Sequence, residues 1–398
     1  MNRIIASAGL MAVGAAGLQA ANVGDLRPTE TSKPWTVSAS LRAFYDDNYN
    51  TAPSALARDS FGFEFRPGAS IYYLPTEQTY IGAAYVYSLK WFEDRQNHNF
   101  DQSHELTLKA DHRFSERFRV NFNDAFAYSQ EPEVINGAGL NASLIRQNSD
   151  VLRNRAAIKL NSQLTERLEL ETGYENVYWD YKDPLYSTAL DRVEHTVWID
   201  PRLHIAPDTV ILAGYQFKYR DYLDVATSVN DSAGHYAYLG IEKSLTSQLN
   251  VAAKAGVELT HYMHQDIDDV GPYADVSATY TYLPGSYLQL GVRHDVIATD
   301  VTIFGSRSQD ATGVYGQLNH RITPNLTGSL LGQFQHGTFN GGIYDGQTEN
   351  QILFGLNFEY RITQNIAAEL GYNFDRLDSD LGRSYSRNRV YTGVRASF

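Results

Sequence analysis

QILFGLNFEYRITQNI, residues 351–366, is the stretch whose reading decides the fold. Its apolar residues Ile352, Phe354, Leu356, Phe358, Tyr360 and Ile362 recur at every second position. Gln351, Gly355, Asn357, Glu359 and Arg361 fill places between them. Side chains alternate across a strand with a period of two, whereas a helix needs recurrence near 3.6. The run then ends on Arg361-Ile-Thr-Gln-Asn-Ile366, two apolar residues separated by turn formers, which is hairpin chemistry.

The same unit recurs outward along the chain. Short turns of this kind are read at 73–81, 113–120, 163–170, 204–211, 244–251, 282–289, 321–326 and 361–366, eight in all. Between them the alternation returns. Leu168, Leu170, Thr172 and Tyr174 face one way, while Arg167, Glu169, Glu171 and Glu175 face the other. Val251, Ala253, Ala255, Val257 and Leu259 alternate with Asn250, Lys254, Glu258 and Thr260. Longer polar segments separate the turns, near 46–59, 92–101, 130–149, 180–191, 221–234, 265–271, 299–310, 337–349 and 376–386. Eight short and nine long connections imply 16 to 18 antiparallel strands, with 18 the best estimate, and no helix. Short turns at one end and long loops at the other are the wiring of an outer-membrane up-and-down β-barrel.

Composition permits this reading without requiring it. The chain holds 28 Tyr and 18 Phe but only 4 Trp, yet its mean hydropathy is −0.38. Large rings in a polar chain suit strands with one face in lipid and one in water. There is no cysteine, which excludes disulfides, thiolate metal sites and a lipid anchor on Cys. A net charge of −13 gives no electrostatic basis for binding nucleic acid. Met1-Asn-Arg3, the apolar Ile4–Gly17 and Leu18-Gln-Ala20 read as a secretory signal. The expected organisation is a signal peptide at 1–20, a periplasmic lead at 21–34 and a barrel over 35–398. The last strand alternates Val390, Thr392, Val394 and Ala396 toward Phe398. This resembles the assembly signal read by the bacterial barrel-assembly machinery, so that machinery, outer-membrane lipid and lipopolysaccharide are the expected partners.

Charges on a lipid face are costly, so the alternating charges are expected to point inward. They are Arg153, Arg155, Lys159, Glu169, Glu171, Arg192, Glu194, Arg202, Lys218, Arg220, Glu258, Arg293, Asp295, Glu359, Arg361, Arg389 and Arg395. One reading makes them the lining of a water-filled pore; the other makes them self-paired wall. The third long loop, with Glu131, Glu133 and Arg146, either folds inward as a constriction or stays on the surface. Trp179, Trp198, Tyr236, Tyr238, Tyr262 and Tyr315 fall on the inward register, as stacking platforms for sugars or as hydrogen-bonding wall. His261, His264, Asp266, Asp268 and Asp269 cluster at one loop, but their spacing matches no metal motif. No cofactor, metal site or catalytic signature is read.

Several stretches resemble the putative β-barrel porin 2 family of outer-membrane proteins. These are Tyr45-Asp-Asp-Asn48, Glu77-Gln-Thr-Tyr-Ile-Gly-Ala-Ala-Tyr-Val-Tyr87 running into Trp91-Phe-Glu-Asp-Arg95, Asn123-Asp124 leading to Ser129-Gln-Glu-Pro-Glu133, and the final strand. The resemblance implies a barrel and carries over no catalytic residues. It also raises polysaccharide as a partner, because some relatives are associated with exopolysaccharide gene clusters. The expected function is a porin-like channel for small hydrophilic solutes. Exopolysaccharide export or surface attachment is the alternative, and a barrel enzyme the remote third. Oligomeric state and solute stay open.

Overall fold

The computed structural model describes residues 33–95, 98–130, 150–224, 227–302 and 305–398. The expected signal peptide and the loop residues Glu131, Glu133 and Arg146 lie outside the described residues. Eighteen strands make up the wall. They are β1 (Trp35–Asp46), β2 (Ser60–Thr76), β3 (Thr79–Phe92), β4 (Phe100–Arg113), β5 (Phe118–Ser129) and β6 (Val151–Gln163). β7 (Leu168–Tyr181), β8 (Arg192–Ala206), β9 (Thr209–Tyr222), β10 (Ser232–Ser244), β11 (Leu249–Tyr262) and β12 (Ile267–Leu283) follow. The last are β13 (Ser286–Ile297), β14 (Ser308–Arg321), β15 (Leu326–Asn340), β16 (Thr348–Arg361), β17 (Ile366–Ser379) and β18 (Tyr385–Ser397). Each pairs antiparallel with its neighbours in sequence. β1 also pairs with β18, from Ser38 opposite Ser397 to Asp46 opposite Arg389. The sheet therefore closes, and no edge strand is left with unpaired backbone.

The repeated short motif has a local cause. At four turns a threonine two residues into the motif caps the chain reversal with its hydroxyl. Thr165 Oγ1 accepts from the Leu168 amide at 3.0 Å, Thr246 from Leu249 at 3.0 Å, Thr323 from Leu326 at 3.0 Å and Thr363 from Ile366 at 3.1 Å. The apolar residues on either side close the hairpin through their backbones, as Leu164 N to Leu168 O at 2.9 Å shows. Ser115 caps the 114–117 turn in the same way, taking the Arg117 amide at 3.2 Å. Three turns are shorter, at 77–78, 207–208 and 284–285, and each has a register shift in the flanking ladder. Gly285, at φ +76°, takes the left-handed conformation that the 284–285 reversal requires.

All eight tight turns lie at one end of the barrel, and the longer connections lie at the other. The strands run several residues into segments expected to be loops: β15 reaches Asn340, β12 begins at Ile267 and β17 reaches Ser379. Beyond the apolar band both faces meet water, so alternation is no longer demanded and the sequence stops signalling the strand. The expectation of β structure throughout also needs one correction. The β7–β8 connection contains a short helix, α1 (Pro184–Leu190). Proline stands at its first position, where it loses no helical hydrogen bond, and the Ser187 amide reaches Asp183 O at 2.8 Å.

Leu41, Phe63, Leu239, Val257 and Val390 are among the large apolar residues exposed on the outer surface. Belts of tyrosine and histidine frame this band. Tyr85 meets His104, Tyr174 meets His195 and Tyr215 meets His235, each with hydroxyl to Nδ1 at 2.7 Å. These three histidines sit three or four residues from the long-loop ends of β4, β8 and β10. At the other end Tyr282 meets His320 at 2.7 Å, and His112 packs edge-on to Phe114. His104 and His112 lie eight residues apart on β4, about 20 Å along a barrel axis at ~3.3 Å per residue and a tilt near 40°. That spans most of the ~25 Å height of an outer-membrane apolar band.

One outward residue breaks the pattern. Asp124, in the middle of β5, shares the outward face with Phe122 and Phe126. The Asn154 amide of β6 donates to its two carboxylate oxygens at 3.2 and 3.1 Å. Histidine aside, it is the only charged side chain on the outward face of the described strands more than three residues from a strand end.

Candidate functional site in the barrel lumen

The inward face is charged on most strands, with neutral polar residues such as Gln317, Gln333 and Gln335 along β14 and β15, and its charged stretches are built in two ways. On β1, β2 and β16–β18 the charges neutralise one another inside the wall. Arg42 Nε donates to Glu369 at 2.8 Å, and a second nitrogen reaches Glu64 at 3.3 Å. The Ser88 hydroxyl completes Glu64 at 2.7 Å. Asp46, fully buried, receives Arg387 at 2.6 Å and Arg389 at 2.7 Å. Arg395 pairs with Glu359, while Arg361 is exposed at the tight-turn end. Buried charges persist only when paired in this manner.

On β6–β13 the inward face instead encloses a cavity of about 320 Å³. Arg153 and Arg155 come from β6, Glu171, Glu175 and Trp179 from β7, and Arg192, Glu194, Trp198 and Asp200 from β8. Lys218 and Arg220 of β9, Lys254 of β11 and Arg293 of β13 complete the wall. Alternation puts each side chain inward, and barrel closure brings the strands around one space. Arg155 binds Glu175 at 2.7 Å, Arg192 binds Glu194 at 2.8 Å, and Lys254 binds Asp200 at 3.1 Å. Arg153 and Arg192 both lie over the Trp179 ring, at 4.6 and 4.8 Å from its centroid.

The remaining sequence-selected residues surround this cavity as supports. Lys159 reaches Glu171 at 3.3 Å, and Arg202 pairs with Glu242. Glu169 accepts from Asn161 at 2.9 Å. Glu258 accepts the Tyr236 hydroxyl at 2.6 Å, and Asp295 holds Arg293 at 2.6 Å. Of the inward aromatics, Tyr238 donates to Asp200 at 2.6 Å, and Tyr236 and Tyr262 are almost wholly buried. Tyr315 packs against Gly291, where an added Cβ would fall 2.3 Å from its ring. In the 261–269 loop, His261 turns to Asp268 at 2.8 Å and His264 to Asp231 at 3.4 Å. No group of three metal-ligating side chains converges among the described residues.

Two loops roof the cavity; the sequence marks both as long connections, at 180–191 and 299–310, but not their inward course. Leu190 of α1 packs on Trp179, Tyr181 and Val151. The β13–β14 segment sends Ala298, Thr299 and Asp300 across the lumen into the same wall. The Thr302 hydroxyl donates to Ala189 O at 2.8 Å. From the β17–β18 loop, Arg383 takes both oxygens of Asp300 at 2.5 and 2.9 Å and Glu349 at 2.6 Å. Burial works against the Arg383 charge, but Asp300 and Glu349 outweigh it and raise its pKa above the ordinary arginine value. Nearer the mouth, Tyr49 and Arg95 pack on Phe92, the guanidinium 4.0 Å from its ring centroid. Such loop residues carry no periodicity, so no local signal marks them.

The family described as "Putative beta-barrel porin 2" matches residues 191–398, just over half of the chain. The chain belongs to this family. The matched part of this barrel porin 2 protein runs from the end of α1 through β18, and includes the β8–β13 wall of the cavity. No curated protein matches it. Its fold is similar to that of outer-membrane proteins of known structure. OccAB4 of Acinetobacter baumannii is 14% identical with a TM-score of 0.46, over 94% of this chain and 100% of that one. OpdK of Pseudomonas aeruginosa is 14% identical with a TM-score of 0.44, over 92% and 99%. The FrpB iron transporter of Neisseria meningitidis is 9% identical with a TM-score of 0.47, over 88% and 64%. The family and the closed 18-stranded sheet make the barrel porin 2 protein a porin-like β-barrel.

Proposed function

We propose that this protein is a channel through which small hydrophilic solutes diffuse across the outer membrane with weak selectivity. One observation carries the reading: an apolar outer face encloses an inner face lined with charge, and β6–β13 leave a polar cavity within it. A lumen of this width and polarity admits water and solutes that the bilayer excludes. The protein does not act as an enzyme in this reading, and its lumenal charges orient what passes. The aromatic wall gives less support to a polysaccharide path, because the Trp179 ring that would stack on a sugar already has Arg153 and Arg192 over it.

The test is conductance of the purified protein in planar bilayers. Steady, ohmic steps in plain salt are expected. A barrel that stays silent in salt and conducts only when polysaccharide is added would overturn the reading in favour of polysaccharide transport.

A further inference from the structure

We infer that the β6–β13 cavity is a binding site for small organic anions, centred on Arg220. The inference rests on the channel reading and names the class of solute that the cavity selects. The chain as a whole is acidic, with a net charge of −13. Its cavity reverses that sign, with seven cationic side chains against five carboxylates in the wall.

The carboxylates are already engaged. Glu175 is held by Arg155, Glu194 by Arg192 and Asp200 by Lys254. The other two, Glu171 and Asp300, are held by Lys159 and Arg383, which stand outside the wall. Asp295, also outside the wall, in turn holds Arg293 at 2.6 Å and faces Lys218 at 3.9 Å, so the wall's surplus of cations is small and local. Arg220 is where that surplus is clearest. Only 5% of its surface is exposed, its Nε is buried without a hydrogen-bond partner, and no described carboxylate stands within 4 Å of it, although Glu194 acts on its charge from farther off. Leaving a buried guanidinium donor unsatisfied is costly, and an anion in the cavity supplies the missing acceptor.

Size and shape narrow the class. About 320 Å³ lies at the low end of small-molecule pockets, which run from roughly 300 to 1,000 Å³. The Val177 and Leu190 side chains add apolar wall beside the cations. A carboxylate or phosphate carried on a small, partly apolar body fits both features.

The experiment uses the full-length protein in detergent and then in planar bilayers. Binding of benzoate, inorganic phosphate, benzyl alcohol and benzylamine is followed by calorimetry. Benzoate is expected to bind more tightly than phosphate, and the neutral and cationic isosteres not at all. Arg220→Gln is expected to weaken benzoate binding about tenfold, the loss of one charge-assisted contact of about 1.4 kcal/mol. Arg220→Lys should weaken it less, and Arg395→Gln, on the opposite wall, should leave it unchanged. If Arg220→Gln fails to fold, Arg220→Lys and the comparison of benzoate with benzyl alcohol on the unaltered protein still decide. Equal binding of benzoate and benzyl alcohol, or no binding of either, overturns the site. In a salt gradient, the reversal potential should show chloride favoured over potassium. Conductance without anion preference or benzoate binding defeats this inference and spares the channel; benzoate binding by a silent barrel does the reverse.

Discussion

The hydroxyl of Thr302 donates to the backbone carbonyl of Ala189 at 2.8 Å, joining two loops 113 residues apart in sequence. One loop rises from β7 and the other from β13, so this bond spans the lumen. With the Arg383–Asp300 pair, it pins the 298–302 segment over the cavity, where we predict that this segment constricts the lumen.

Removing residues 298–302 is accordingly expected to raise single-channel conductance severalfold, because the narrowest cross-section sets resistance. Arg383→Ala should act in the same direction and add current noise, since it leaves Asp300 and Glu349 without their shared cation. Single-channel recording checks both. Unchanged conductance in the deletion would place the constriction elsewhere.

Asp46 bridges the seam where the barrel closes. It is buried and bound by Arg387 and Arg389 of β18, and it accepts the Asn48 amide at 3.1 Å. Asp46→Ala removes the buried carboxylate that Arg387 and Arg389 share and should cost about 3–5 kcal/mol. Denaturant unfolding of the protein in detergent measures the loss. A cost well below 1 kcal/mol would mean that the seam is held by backbone pairing alone.

The Asp124–Asn154 pair faces the apolar surroundings of the barrel. A mid-bilayer carboxylate is unfavourable, though less so than a cation. Replacing both residues by leucine should therefore stabilise the protein in lipid by about 1–2 kcal/mol. Asn154→Leu alone should destabilise it, since Asp124 then loses its donor. Folding titrations in phosphocholine vesicles give both values. Destabilisation by the double replacement would show that something other than lipid covers this face.

Asp191, between α1 and β8, accepts the Tyr181 amide at 2.7 Å. Burial raises its pKa, and this amide offsets only part of the rise. The folded state therefore binds a proton more readily than the unfolded chain, and stability from this group falls as pH rises through the window between the two values. Asp191→Asn keeps the acceptor and removes the charge. The variant should match the unaltered protein at low pH and be the more stable of the two at neutral pH. Unfolding midpoints across that range test it; a variant less stable at neutral pH would refute the assignment.

Much of the fold was legible because its causes are local. Alternation in residues 351–362 follows from the pleat, and the threonine turns follow from a hydroxyl two to three residues from the amides it caps. Those two signals, counted along the chain, are enough for a strand number and for the wiring of short turns against long loops. They also place Arg220 on the inward face. They do not say what Arg220 meets. That Arg153, Arg220 and Arg293 line one cavity, whereas Arg389 and Arg395 belong to a self-neutralised wall, depends on how far around the closed sheet each strand stands. The roof depends on loops without period, where Thr302 finds Ala189 only because closure brings β7 and β13 to the same lumen. Sequence alone determined a closed barrel, charged within and apolar without; tertiary structure decided which charges act together and what narrows the way through, because both are distances between residues far apart in the chain.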